Sequence, residues 1–288
     1  MRTTLFIAAL ACGGFTIFAA TLPQQGPEVQ MIVTSADHMA HNPGVLGAAD
    51  IHIADAVITG FTALAGRGLE LYLLIDDSAD YAPEQKIGEL RRFIAAQPAG
   101  VAIGLAYIHE GALRLAEKPT VDHELIGRAL RAPAGGRADS PYYALSDLIA
   151  GWSGNAVRRE VILVTNGICD GADDTDTAVR AAERAGVIVY PVYNPNSDYL
   201  TQNWTRVETG LMNLASLGYE TGGEAYFIGH TPVFSIAPFL ADITEHLANQ
   251  YLVTFRVDPR PAAGFETIFV EPTGPEREIM KPDRVWVP

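Results

Sequence analysis

The chain has 288 residues, 48% of them hydrophobic and 19% charged, enough apolar material for the buried core of one medium domain with appendages. Its 34 acidic against 20 basic residues give a formal net charge of -14, so nucleic-acid backbones and anionic membrane surfaces are repelled on average. Cationic partners and metal ions are favoured instead.

The N-terminus, MRTTLFIAALACGGFTIFAATLPQ, carries Arg2, an apolar run from Leu5 to Ala20, then small residues and a proline. That order reads as a secretory signal peptide over residues 1–20 and predicts an exported protein: periplasmic, cell-surface or secreted. The run is too short and too poorly flanked to favour a membrane span. Retention of this segment as an anchor is the alternative, and the one route to a membrane. Removal of residues 1–20 takes Cys12 with it and leaves Cys169, so no intrachain disulfide is expected.

Residues 21–67 hold two strand candidates, VQMIVT and IHIADAVITGFT, around a loop rich in Gly, Pro, Asn and His. His38 and His41 in that loop lack a third ligand. From 68 to 250 the chain alternates short apolar runs with segments of helical period, the pattern of strand-helix repeats. The apolar runs are Leu69 to Ile75, Val101 to Ile108, Val161 to Thr165 and Val187 to Tyr193, each apolar enough to be covered on both faces. Helices are expected at Glu84 to Ala96, Val121 to Leu130, Pro141 to Trp152, Asp174 to Ala185, Thr209 to Leu217 and Pro238 to Asn249, with Asp173 or Asp174 capping the fourth. Residues 251–288 add YLVTFRV, FETIFVE and DRVWVP, strands separated by proline and glycine turns. The expected architecture is an α/β domain, doubly wound around a mainly parallel sheet, with short β segments before and after it.

In such a sheet, ligands bind beyond the carboxyl ends of the strands. There the first core strand ends in LYLLIDDSAD, with Asp76 closing it and Ser78 and Asp80 following at two-residue spacing. Two carboxylates and a hydroxyl aimed at one point suit Mg2+, with Mn2+ or Ca2+ as alternatives, rather than zinc. Capping the next helix takes one such residue, worth about 1 kcal/mol, so the cluster exceeds what capping explains. Ser140, ahead of Pro141 and a helix, and Asn166, at the end of REVILVTN, are the further oxygen donors on the same edge.

At these residues the sequence resembles the von Willebrand factor type A (VWA) family, specifically exported bacterial VWA-domain proteins. The family's metal-ion-dependent adhesion site uses Asp-x-Ser-x-Ser after the first strand, a Thr before a later helix, and an Asp after the fourth strand. The matching positions here are Asp76, Ser78 and Asp80, then Ser140, then Asn166. SPYYALSDLI, REVILVTNG and GVIVYPVYNP follow in the expected order. The resemblance implies a non-enzymatic protein that binds a protein partner, with those five residues as the metal shell. Two positions depart: Asp80 adds a carboxylate where the family has a hydroxyl, and Asn166 removes one. An Asn carbonyl remains an acceptable ligand, while Asp80 threatens the open position that would take a partner's carboxylate.

Other features carry less. Asp170, Asp173, Asp174 and Asp176 lack the spacing of an EF-hand and read as a solvated acidic loop with a helix cap. Tyr193, Tyr199 and Trp204 are either partner contacts or aromatics buried within their own connection. His109, His123, His230 and His246 read as surface or core-edge residues. Two other functions remain open: a metal-independent scaffold with a decayed site, or a Mg-dependent haloacid-dehalogenase-like phosphohydrolase, whose strand-end Asp and later strand-end Thr would be Asp76 and Thr165. That chemistry needs a second Asp two residues after the first, and position 78 is Ser. GxSxG, Walker A and HExxH patterns are missing from the sequence.

Overall fold

The computed structural model describes residues 26–36, 45–65, 67–153, 156–168, 172–196, 203–273 and 278–288. The expected signal segment lies outside them. Among the described residues no helix is long and apolar enough to cross a membrane. The strands in chain order are β1 (Glu28–Ala36), β2 (Ile51–Ile53), β3 (Ala56–Ala63), β4 (Leu69–Asp76), β5 (Ala102–His109), β6 (Ala112–Thr120), β7 (Arg158–Thr165) and β8 (Val187–Tyr193). They continue with β9 (Gln250–Val257), β10 (Gly264–Thr267), β11 (Val270–Pro272), β12 (Glu278–Met280) and β13 (Arg284–Val287). The helices are α1 (Pro83–Ala96), α2 (His123–Ala129), α3 (Pro141–Gly151), α4 (Ala172–Ala185), α5 (Trp204–Glu220) and α6 (Ala237–Ala248).

Five strands form the central sheet in the order β6-β5-β4-β7-β8. β4, β5, β7 and β8 are parallel and β6 is antiparallel. Because side chains alternate along a strand, β4 feeds two cores. Leu71, Leu73 and Ile75 pack with Ile87, Leu90 and Ile94 of α1 and Leu240 and Ile243 of α6. Tyr72 and Leu74 pack on the other face with Leu145, Leu148, Val179 and Leu214 of α3, α4 and α5. Helices therefore cover both faces, as the apolar runs predict, and each buried leucine contributes about 1.5–3 kcal/mol. Gly104 of β5 lies beside Tyr72, where a Cβ would overlap the ring. The position excludes any larger residue.

The antiparallel β6 is absent from the sequence expectations. It turns back from β5 through Glu110 and Gly111, both at positive φ (50° and 74°), the conformation of a tight hairpin. Its residues are mostly exposed or half-buried, so it lacks the apolar run that marks its neighbours. α4 begins at Ala172, which puts Asp173 and Asp174 inside its first turn rather than at its cap.

Strands from both flanks pair with one another. β1 and β9 run antiparallel in the centre of a second sheet, β12-β1-β9-β3, and β10-β13 and β11-β2 form two short ribbons. Val29, Met31, Val33, Val253, Phe255, Val285 and Val287 make its core. The junction with the central sheet joins apolar contacts of Ile32, Leu64 and Leu252 with the central core to a polar tie: the fully buried Arg158 donates through Nη1 to Leu247 O at 2.8 Å and to Gln250 Oε1 at 2.5 Å. Gln250 Nε2 in turn donates to the Tyr190 hydroxyl at 3.2 Å. One guanidinium thus ties the starts of β7 and β9 together.

Chain order creates the crevice. β4 has β5 on one side and β7 on the other, and the chain passes from β4 outward to β5 and β6 before returning to β7. The strand order reverses between β4 and β7, which opens a site at their carboxyl ends.

Candidate functional site

Asp76 closes β4 at that reversal and is almost wholly buried, at 3% exposure. Its Oδ1 accepts from Ser78 N at 2.9 Å and from Ser78 Oγ at 2.6 Å, and its Oδ2 accepts from Thr165 Oγ1 at 2.7 Å. Burial raises the Asp76 carboxyl above the ordinary aspartate range; the hydrogen bonds from Ser78 and Thr165 pull against that, and the neighbouring Asp77 charge adds to it. Asn166, one residue past β7, donates from Nδ2 to Ser78 Oγ at 2.9 Å and accepts from Ile168 N through Oδ1 at 3.0 Å. Because a backbone N–H must meet oxygen, that second bond sets the orientation of the amide. The nitrogen faces Ser78.

Asp77 performs a separate task. Arg131 donates to its two oxygens at 2.7 and 3.0 Å, Ala134 N donates to Oδ1 at 3.0 Å, and His109 Nδ1 lies 3.2 Å from Oδ2. Burial pushes this carboxyl up, but the hydrogen bonds from Arg131 and Ala134 outweigh it and hold it below the usual aspartate value. The loop leading to Ser140 is thereby fastened to the end of β4. Lys86, buried in α1, fastens the other side: its Nζ donates to Tyr81 O at 2.7 Å and to Asn194 Oδ1 at 2.8 Å, and Asn194 N donates to Thr165 O at 2.8 Å. Burial lowers the Lys86 ammonium to about 8, with Glu89 opposing.

Of the five expected residues, Asp76, Ser78 and Asn166 meet in one hydrogen-bonded group. Asp80 is half-buried on the loop between β4 and α1. It does not occupy the cap position of α1, which falls to Ala82 with no side-chain cap. Ser140 precedes α3, whose N-terminus lies at the carboxyl edge because α3 leads into a parallel strand. Its hydroxyl makes no capping bond, and Oγ is buried without a hydrogen-bond partner among the described residues. Lys86 is not among the expected site residues, and Thr165 enters the expectations only as the strand-end threonine of the phosphohydrolase alternative. Thr165 closes an apolar strand, which is a readable signal, whereas nothing in the helical pattern of α1 marks Lys86.

The donor set tests the fit of a hard cation. Carboxylate and hydroxyl oxygens from Asp76, Ser78, Asp80 and Ser140 suit one, and the unpartnered Ser140 Oγ is the kind of atom an ion would satisfy. Asn166 fits less well, since its oxygen is engaged by Ile168 and its nitrogen cannot ligate. Phosphoryl transfer fares worse: the hydroxyl at position 78 is bonded to Asp76 Oδ1, and a serine cannot protonate a leaving group as an aspartic acid would.

The aromatic residues divide. Tyr193 is buried at 2% exposure and belongs to the core, which favours burial over partner contact among its two readings, because β8 is covered on both faces. Trp204 is 53% exposed, and Tyr199 lies outside the described residues. His246, read as a surface or core-edge residue, is buried at 3% exposure near Asp242 and Glu224. Its Asp-x-x-x-His spacing on α6 was visible, but Glu224 comes from another element.

No protein-family model matches the sequence, and no curated protein matches it. Among solved structures, the chain is similar to an aerotolerance-related membrane protein from Bacteroides fragilis, with 13% identity over 62% of this chain and 98% of that one and a TM-score of 0.46. It is similar to BatB from Bacteroides thetaiotaomicron, with 15% identity over 62% and 98% of the two chains and a TM-score of 0.46. It is also similar to the manganese-loaded TRAP protein of Plasmodium vivax, with 13% identity over 80% and 98% and a TM-score of 0.42. With a parallel sheet ordered β5-β4-β7-β8, helices on both faces, and Asp76, Ser78 and Asn166 gathered at its carboxyl edge, the central unit is a doubly wound α/β fold laid out as the resemblance to the von Willebrand factor type A family implies.

Proposed function

We propose that this is an exported, non-enzymatic VWA-domain protein that binds a protein partner through the crevice at the ends of β4 and β7. Asp76, Ser78, Asp80, Ser140 and Asn166 form a degenerate metal-ion-dependent adhesion site in this reading. The supporting observation is the Ser140 hydroxyl. A buried hydroxyl without a partner costs about 1–3 kcal/mol, and Ser140 Oγ has none among the described residues although it stands at a helix start where a capping bond is available. A divalent ion bound beside Asp76 would give it one. Such an ion supplies a Lewis-acidic position for a partner's carboxylate. The chain's own residues hold that position in place: Thr165 and Ser78 orient the Asp76 carboxylate, Asp77 secures the Ser140 loop, and Lys86 secures the Tyr81 loop.

A second reading, a metal-independent interaction scaffold, is favoured by Asn166. Its amide nitrogen supplies Ser78 with a positive dipole and leaves Asp76, Ser78 and Asn166 mutually satisfied without an ion. Calorimetric titration of Mg2+, Mn2+ and Ca2+ into the chelator-treated full chain separates the two. Saturable binding lost in Asp76→Ala supports the adhesion-site reading. The absence of binding by wild type leaves the metal-independent scaffold.

A further inference from the structure

A second constellation lies away from the crevice, where α6 meets the segment after α5. Asp242 and His246 sit four residues apart on α6 and so share one face. Glu224 reaches them from the segment that runs beside β8, held there by Tyr193 N donating to Tyr226 O at 3.0 Å and Tyr226 N donating to Pro191 O at 2.7 Å. One ligand atom from each of the three lies within 4.8 Å of the others.

Tyr226 sets the tautomer of the imidazole. Its hydroxyl donates to Asp242 Oδ2 at 2.8 Å, so its oxygen is an acceptor toward His246 Nδ1 at 3.2 Å, and Nδ1 carries the hydrogen. His246 Nε2 then faces Asp242 Oδ2 at 3.7 Å and Glu224 Oε2 at 3.9 Å. Three potential ligand atoms thus converge on one point, an imidazole nitrogen and two carboxylate oxygens. An ion about 2.0–2.2 Å from each ligand holds neighbouring ligand atoms roughly 3.5 Å apart, close to what is seen. The hydrogen bond from the second ring nitrogen is the support that metal-binding histidines ordinarily have.

We propose that Glu224, Asp242 and His246 bind a single divalent ion of the zinc class, with Tyr226 positioning the imidazole and the ion clamping α6 to the segment beside β8. Imidazole together with carboxylates suits zinc and its neighbours, in contrast to the all-oxygen set at Asp76. Glu224 is 33% and Asp242 22% exposed at the side chain, which leaves the ion a path in, while His246 forms the buried floor at 3%.

The test is titration of Co2+ into the chelator-treated full chain, read by visible d–d absorption, with Zn2+ as the displacing ion. The expected result is saturation at one equivalent, displacement by Zn2+, loss in His246→Gln, retention in Asp76→Ala, and about 10- to 100-fold weaker binding in Tyr226→Phe. If no absorption develops, or if it survives in His246→Gln and disappears in Asp76→Ala, the site is overturned. Should His246→Gln lose its native circular dichroism, Glu224→Gln at the partly exposed position is read instead. Undiminished Co2+ affinity in that variant overturns the proposal. Because the Asp76 arm reports the crevice separately, failure here and failure of the adhesion-site reading give different patterns.

Discussion

Asn166 Nδ2 donates to Ser78 Oγ at 2.9 Å across 88 residues of sequence, and the hydroxyl in turn donates a hydrogen bond to Asp76 Oδ1 at 2.6 Å. An amide thus stands where the family resemblance implies a carboxylate, and it closes the site by hydrogen bonding. Asn166→Asp replaces that donor with a second acceptor beside the buried Asp76. The expected outcome is a chelator-treated protein destabilised by about 1–3 kcal/mol in urea unfolding, with the loss reversed by millimolar Mg2+ or Mn2+. A variant as stable as wild type without ions would show that the amide does not close the site.

Ser140→Ala tests the unpartnered hydroxyl. Removing a serine that caps a helix typically costs about 1 kcal/mol, but this hydroxyl makes no capping bond. The variant is expected to be at least as stable as wild type in denaturant melts while losing divalent-ion affinity in calorimetry. A clear drop in stability would mean that the hydroxyl has a partner in solution.

Asp77 and Arg131 secure the loop that leads to Ser140. The Asp77 carboxyl is held below its ordinary value, so the unfolded chain takes up the proton first as pH falls. Its contribution is complete above the ordinary aspartate value of about 3.9 and is lost as pH falls through the lower folded value. Asp77→Asn is expected to cost about 1–3 kcal/mol near neutral pH, since the half-exposed Arg131 and Ala134 N lose a charged acceptor, and to remove that part of the acid transition. Urea melts from neutral to acidic pH measure both effects.

Glu160 is fully buried in β7 beside Arg158, Gln250 and Tyr190. Burial raises it to about 7, with Arg158 opposing. The folded state therefore holds a proton that the unfolded state releases from about 4.5 upward. The resulting stability is present below that pH and is lost as pH rises to about 7. Glu160→Gln is expected to flatten this decline, so that it gains on wild type between those limits. Parallel pH dependence in the two proteins would show that Glu160 is not the titrating group.

Legibility in the sequence followed burial. β4, β5, β7 and β8 are covered on both faces, so their residues are almost uniformly apolar and each strand shows as a run, with ends displaced by up to three residues. β6 at the sheet edge is half exposed and carries no such run; the Glu110–Gly111 hairpin was its one local signal. IHIADAVITGFT, expected as one strand, is broken by a turn at Ala54 and Asp55 into β2 and β3, and FETIFVE divides into β10 and β11. α5 begins at Trp204, five residues ahead of its expected start, because its first turn is mostly exposed and lacks the apolar periodicity of the remainder.

The sequence by itself determined the alternation of strands and helices, the closing of β4 by Asp76, and the residue types on the loops at that edge, because these follow from local hydrophobic period and spacing. The tertiary structure decided what the side chains do. Which atom of Asn166 faces Ser78, the failure of Ser140 to cap its helix, the burial of Tyr193, and the meeting of Glu224 with Asp242 and His246 all depend on contacts between separate elements. Strand register and helix packing set those contacts, and a hydrogen bond demands its partner within a few tenths of an ångström. No local pattern encodes that precision.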